Sequence, residues 1–131
     1  MWLSSLSKTQ CTAFLGLAHN VVVSDGLLDP NEELMIEEFK REMELQGERD
    51  PEYLELDGIE KVFDSQRSRR IALLNLLRLS YVDGAFEIEE ECLLKEISHA
   101  FAVPEADFLL LDNWIRRLTS LESEALDMME H

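Results

Sequence analysis

Apolar residues along this chain recur at steps of three and four positions, the spacing that places side chains on one face of an α-helix. The clearest run consists of Phe14, Leu17, Ala18, Val21 and Val22. It predicts a helix over about 7–23, and the same spacing predicts four more long helices, over about 30–46, about 66–82, the stretch ending before Pro104, and about 105–120. No segment alternates strictly between apolar and polar residues as a half-buried strand does. We therefore predict an all-α fold without a sheet.

The helix over about 66–82 differs from the others, because almost every position after Ile71 is apolar. A helix with so little polar surface is normally surrounded by other elements, so we expect it to be the central one. The polar stretch that follows Gly47 should contribute one or two short helices. We expect the acidic tail after Leu121 to fray.

One segment of the chain occurs twice, at an offset of 58 residues. Residues 24–33 are Ser-Asp-Gly-Leu-Leu-Asp-Pro-Asn-Glu-Glu, and residues 82–91 are Val-Asp-Gly-Ala-Phe-Glu-Ile-Glu-Glu-Glu. Each copy follows one predicted helix and precedes another. This indicates a duplicated helix-turn-helix unit in a single domain, residues 1–131, with repeat halves at about 7–46 and 66–103 and a connector at about 47–65.

The first copy contains the residues of a helix end followed by those of a helix start. Gly26 can adopt the left-handed conformation that closes a helix, because it carries no Cβ. Asp29 is a good N-cap, and Pro30 falls at the first helical position, where its missing N–H costs nothing. Glu32 is placed to complete a capping box.

The repeated turn also matches the second half of an EF-hand calcium loop, in which an Asp-Gly pair precedes a bidentate Glu. The first ligands of such a loop would fall on Val21 and Val23 in one copy and on Leu79 and Tyr81 in the other. None of these side chains can ligate a hard cation, so both copies are excluded as true EF-hands.

Each turn nevertheless keeps a cluster of carboxylates. The candidate metal ligands are Asp25, Asp29 and Glu32 in the first copy and Asp83, Glu87 and Glu90 in the second. They suit weak binding of Ca²⁺, Mg²⁺ or Mn²⁺ through a few oxygens and water. The alternative is structural, with the same residues serving as helix caps and turn stabilisers.

Other candidates for chemistry are incomplete. Glu96 and His99 have the Glu-x-x-His spacing of a di-iron carboxylate bundle, which needs a second such element. A second element around His19 would need Glu three positions before it, and that position is Gly16, so the second element is absent.

We expect Cys11 and Cys92 to be small buried residues, since neither has an adjacent His or Lys. No nucleophile motif or phosphate loop is visible. We therefore predict no enzymatic activity, and a carboxylate-metal enzyme is the least favoured alternative.

Three arginines, Arg67, Arg69 and Arg70, fall at the start of a predicted helix, where positive charge opposes the helix dipole. We expect the protein's own carboxylates to offset them. The alternative is a small docking patch for an acidic partner.

The chain has 12 Lys and Arg against 28 Asp and Glu, a net charge of −16. Such a surface repels phosphate backbones, so we predict no nucleic-acid binding. The first residues lack the basic head and apolar core of a secretory signal, and no apolar run could span a bilayer. We expect a soluble cytoplasmic protein with a protein partner and without membrane insertion, which leaves peripheral membrane association open.

The duplicated turn resembles that of the tellurite-resistance TerB family, whose relatives include the TerB-like region of DjlA-type membrane co-chaperones. The matching pattern is Asp-Gly-x-apolar-x-x-x-Glu, carried by Asp25, Gly26, Leu28 and Glu32, and again by Asp83, Gly84, Phe86 and Glu90. With the surrounding helices, the resemblance covers about 15–45 and 72–120.

This resemblance implies an all-α bundle of about seven helices in two pseudo-symmetric halves, without catalytic activity. It also implies a role in metal or stress response and in assembly with other proteins near the membrane, with Asp25, Glu32, Asp83 and Glu90 as the residues carried over. If the protein is instead a scaffold that needs no metal, we expect an exposed apolar patch around Trp114 or around Trp2 and Leu3.

Overall fold

A computed structural model describes residues 1–24, 29–48, 53–82 and 88–130. Within these ranges every regular element is a helix and no strand occurs, so the all-α prediction is confirmed. A short 3-10 helix, Leu3–Ser5, comes first. The α-helices are α1 (Lys8–Val23), α2 (Pro30–Glu42), α3 (Ile59–Val62), α4 (Gln66–Tyr81), α5 (Ile88–Ala100) and α6 (Glu105–Glu130).

The central helix is α4, as its apolar sequence predicts. Residues 71–77 are buried without interruption, and α4 packs against α1, α2, α5 and α6. Two edge-to-face aromatic pairs join the elements around it, Phe14 with Phe39 and Phe63 with Phe101. A helix segment surrounded by other elements is mostly apolar, which explains why α4 lacks a clear polar face. The polar exception in this run, Asn75, donates to the carbonyls of Met1 and Ile71.

Two predicted helix ends are wrong. Helix α2 stops at Glu42, because Glu44 adopts a left-handed φ of 59° and the Leu45 N–H donates to the Lys40 carbonyl at 2.7 Å. Glu44 thus takes the left-handed position at the end of the helix that glycine normally occupies. In contrast, α6 does not fray after Leu121 but continues to Glu130. Its last residues are mostly good helix formers, without Gly or Pro.

The backbone of Leu54 in the connector is hydrogen-bonded to a side chain of α1. The Asn20 side chain donates to the Leu54 carbonyl at 2.7 Å and accepts from the Leu54 N–H at 3.1 Å. Gly16 allows this approach, because a Cβ there would lie 3.0 Å from the Leu54 Cβ. Asn20 and Gly16 therefore have structural roles that the hydrophobic pattern does not indicate.

Candidate functional site

The structure describes only part of the two repeated turns. The candidate ligands Asp25, Asp83 and Glu87 lie outside the described residues, as does the turn glycine Gly26. The other three candidates, Asp29, Glu32 and Glu90, are described, and each lies at the start of α2 or α5.

Asp29 is the N-cap of α2, as predicted. Its carboxylate accepts from the N–H groups of Asn31 at 2.7 Å and Glu32 at 3.3 Å. Pro30 occupies the first helical position. These bonds satisfy backbone donors that have no partner within the helix, which typically stabilises a helix by about 1 kcal/mol.

Glu32 and Glu90 occupy equivalent positions of the two repeats, and both are buried. Their exposed fractions are 2% and 1%, whereas the neighbouring Glu33 and Glu89 are exposed. A buried carboxylate is costly unless other groups interact with it, and both of these side chains do have interaction partners. The repeat thus places the same buried acid in the first turn of α2 and of α5, where the helix dipole favours negative charge.

The described residues include no group of three or more His, Cys, Asp or Glu side chains arranged to hold a metal ion. Glu96 and His99 are exposed on α5, and His19 is half-buried on α1. In the part of the chain that the structure describes, no second set of ligands therefore joins either histidine.

The two cysteines have different environments. Cys11 is buried, as predicted, and burial raises the pKa of its thiol. Cys92 is exposed on α5, so the expectation that it is buried is wrong. Its position in the helix allows an exposed side chain, because the buried residues of α5 are Glu90, Leu94, Ile97 and Ser98.

The arginines at the start of α4 interact mainly within the chain. Arg70 forms an ion pair with Asp107 of α6 at 2.7 Å. Arg69 donates to the carbonyls of Glu60 at 2.7 Å and Phe63 at 2.6 Å, at the end of α3. The expected pairing with the protein's own acids is confirmed for Arg70, while Arg69 binds backbone carbonyls instead.

A cleft of about 740 Å³ lies between the starts of α1 and α4. Ser7 and Ser65 line it, and each already caps its helix through a reciprocal capping box, with Gln10 and Ser68 respectively. The cleft walls mix polar and apolar residues, and the hydroxyl groups of Ser7 and Ser65 are occupied by these local bonds.

A row of exposed apolar residues lies on α6. Its members follow one another at steps of three or four residues and so share one side of the helix. We call the apolar stripe the set Leu110, Trp114, Leu118, Leu121, Ala125 and Met128. The exposed fractions of Leu110, Leu121 and Met128 are 67%, 60% and 75%.

The stripe runs along a helix that is packed in one half only. In the near half, 105–119, Phe108, Asp112 and Ile115 are buried and α6 packs against α4. In the distal half, 120–130, no residue is buried. Trp114 and Leu118 pack partly against the core, so the stripe begins beside the core and continues beyond it.

Trp2 extends the stripe at its near end. Its exposed fraction is 51%, and its ring centroid lies 6.3 Å from that of Trp114. The apolar patch that we expect around these two tryptophans is therefore present. Leu3, predicted to belong to it, is instead completely buried in the core.

A hydrogen-bonded network fastens α6 to the end of α4. The Tyr81 hydroxyl donates to Asp112 at 2.7 Å, and Arg116 donates to that hydroxyl at 2.9 Å and pairs with Asp112 at 3.1 Å. Burial, and next the hydrogen bond to Asp112, raise the pKa of Tyr81 to about 12. The network fixes the near half of α6 and thereby orients the stripe.

Comparisons with protein-family models, with curated proteins and with solved structures give no match for this chain. Among the described helices, none has the length and apolar character needed to cross a bilayer.

Sequence reasoning missed the distal half of the stripe. It identifies Trp114 and Trp2 but treats the residues after Leu121 as a fraying tail. The continuing three- and four-residue spacing of Leu121, Ala125 and Met128 was the signal that could have found it.

Proposed function

We propose that this chain is a non-enzymatic interaction domain of TerB-like type, acting in the cytoplasm in a stress-response setting, and that it docks a partner protein on the apolar stripe. The observation that carries the proposal is the exposure of Leu110, Leu121 and Met128 along one side of α6. Large apolar patches of this kind on soluble domains typically mark interaction sites. The duplicated turn and the all-α architecture support the TerB-like assignment.

Photo-crosslinking in cells tests the docking function. A photoreactive amino acid replaces Leu121 in the stripe or, as a matched control, Leu126 on another side of the same helix. These two leucines have similar exposed fractions, 60% and 57%. We expect Leu121 to give a discrete adduct with another polypeptide and Leu126 to give none. Equal adducts from both positions, or none from either, would count against the proposal.

Weak divalent-cation binding at the repeated turns is a second candidate function. It is favoured by the matching burial of Glu32 and Glu90, one carboxylate per repeat, each seven positions after Asp25 or Asp83 in the sequence. Hard cations such as Ca²⁺, Mg²⁺ and Mn²⁺ bind oxygen ligands of this type.

Calorimetric titration of chelator-treated protein with Ca²⁺, Mg²⁺, Mn²⁺ and Zn²⁺ tests this candidate. Binding should be lost in Glu32→Gln or Glu90→Gln and kept in the exposed neighbours Glu33→Gln and Glu89→Gln. Asp25→Ala and Asp83→Ala test the turns themselves. An absence of heat in the unsubstituted protein, with no change in melting temperature, would leave the acids with a structural role alone.

A further inference from the structure

We infer that the occupant of the apolar stripe is a basic amphipathic helix of a partner protein. This inference rests on the proposed docking function and adds the chemistry of the partner. It follows from the shape of the stripe and from the charges beside it.

The shape of the stripe favours a helix as the occupant. From Leu110 to Met128 it extends about 27 Å at the usual rise of an α-helix. Its three- and four-residue steps form the kind of ridge that packs into the groove of a second helix. A partner helix of about 18 residues, or five turns, would cover it.

The charges beside the stripe favour a basic occupant. The segment 118–130 contains four acidic residues and no Lys, Arg or His. At about 3.6 residues per turn, Glu122 and Glu124 flank the stripe, one on each side, whereas Asp127 and Glu130 lie on the far side of the helix. Only Glu122 has an ion pair within the described residues, a 3.9 Å contact with Arg78. A helix with Lys or Arg beside its own apolar face would be drawn to this surface, and the net charge of −16 would assist its approach.

The same charges disfavour a parallel pair of copies of this chain. Pairing two stripes in parallel would bring Glu122 and Glu124 of one copy beside the same acids of the other. Like charges facing each other across a helix pair weaken it. Arg116 and Arg117 lie within the length of the stripe, and an antiparallel pair of full stripes would bring Glu122 near Arg116 of the other copy. A second copy is therefore one of the outcomes that the experiments below separate.

Two synthetic peptides of about 18 residues provide the test. Both carry leucines at the spacing of the stripe, but one has lysines beside them and the other has glutamates. Each is titrated against the full chain at low and at high salt, with fluorescence anisotropy as the readout. We expect the lysine peptide to bind at least about tenfold more tightly than the glutamate peptide, and salt to reduce this difference.

Two double variants on α6 locate the binding surface. The stripe variant is Leu110→Gln with Leu121→Gln, and the control is Leu109→Gln with Leu126→Gln. All four leucines are more than half exposed, so both variants keep the fold and the net charge. The stripe variant should weaken binding of the lysine peptide about tenfold, with the control within about twofold.

Several results would overturn the inference. If the glutamate peptide binds as well as the lysine peptide and only the stripe variant prevents it, the basic partner is wrong but the docking surface stands. Sedimentation showing a dimer that the stripe variant abolishes would assign the stripe to a second copy. Binding to neutral phospholipid vesicles that depends on the stripe would assign it to a membrane. If neither peptide binds, the inference fails, and crosslinking at Leu121 still decides the docking function separately.

Discussion

The two halves of α6 have the same apolar spacing but different surroundings. In the near half, Phe108 and Ile115 are buried against the core, while in the distal half no residue is buried, and Leu121 and Met128, on another side of the helix, are exposed. Hydrophobic spacing therefore predicts that a helix has a face to cover, but it does not identify what covers it. Where the chain's own core ends, the same spacing indicates the surface on which to look for a partner.

The largest expected difference between the halves is in stability. Ile115→Ala should lower the free energy of unfolding by about 2–5 kcal/mol, because Ile115 is completely buried and its loss leaves a cavity. Leu121→Ala in the distal half should change it by no more than about 0.5 kcal/mol. Urea unfolding followed by circular dichroism measures both. Similar losses from the two variants would contradict the division of α6 into a packed and an unpacked half.

A smaller difference in stability is expected between alanine variants of two aspartates of α6. Asp112 is buried and accepts from Tyr81 and Arg116. Asp112→Ala should therefore cost about 1–3 kcal/mol. Asp127→Ala, on the exposed distal half, should be nearly neutral because alanine favours the helix. Thermal melting of both variants checks this, and a neutral Asp112→Ala would mean that the network does not hold α6 in place.

The ion pair between Arg70 and Asp107 should contribute less to the free energy of unfolding than the hydrogen bonds of Asp112 do. Both side chains are about one-third exposed, and pairs of this kind are worth about 0–1 kcal/mol. Arg70→Ala should lower the urea midpoint slightly, and added salt should reduce the difference from the unsubstituted protein. The exposed Arg117→Ala serves as the control. If Arg70→Ala lowered the free energy of unfolding as much as Ile115→Ala does, charge rather than apolar packing would fix the near half of α6.

The smallest expected effect is a loss of stability at alkaline pH, where Tyr81 ionises. The fold raises the pKa of Tyr81 to about 12, whereas an unfolded tyrosine ionises near pH 10. The contribution of the protonated Tyr81 hydroxyl to the free energy of unfolding is therefore complete below about pH 10. It is then lost as the pH rises towards about 12. In a Tyr53→Phe background, which leaves only Tyr81, the tyrosinate absorbance should have its midpoint near pH 12. A midpoint near pH 10 would mean that α6 does not bury this hydroxyl.

The sequence predicts much of this fold because local rules and tertiary packing agree over most of it. The start of α2 at Asp29 and Pro30 and the central position of α4 follow from capping chemistry and from apolar content. The end of α2 does not, because Glu44 takes a left-handed conformation that favours glycine, and the sequence carries no signal for that.

The candidate site was less predictable, for a physical reason. The repeat identifies Glu32 and Glu90 as equivalent, but their burial depends on how the helices pack and not on the local sequence. The proposed roles of Asp25, Asp83 and Glu87 remain predictions, because these residues lie outside the described ranges. The tryptophan patch could be anticipated from composition, whereas the exposure of Cys92 and the distal stripe depend on which faces the core leaves uncovered.

Hydrogen exchange of the full chain, with and without the lysine peptide, tests the central claim most directly. The exposed distal half of α6 should be an open surface that a basic helix covers. We predict that the peptide slows amide exchange over 120–130, while exchange in α1 is unchanged. Unchanged exchange over 120–130, or protection confined to another face of the molecule, would contradict the claim.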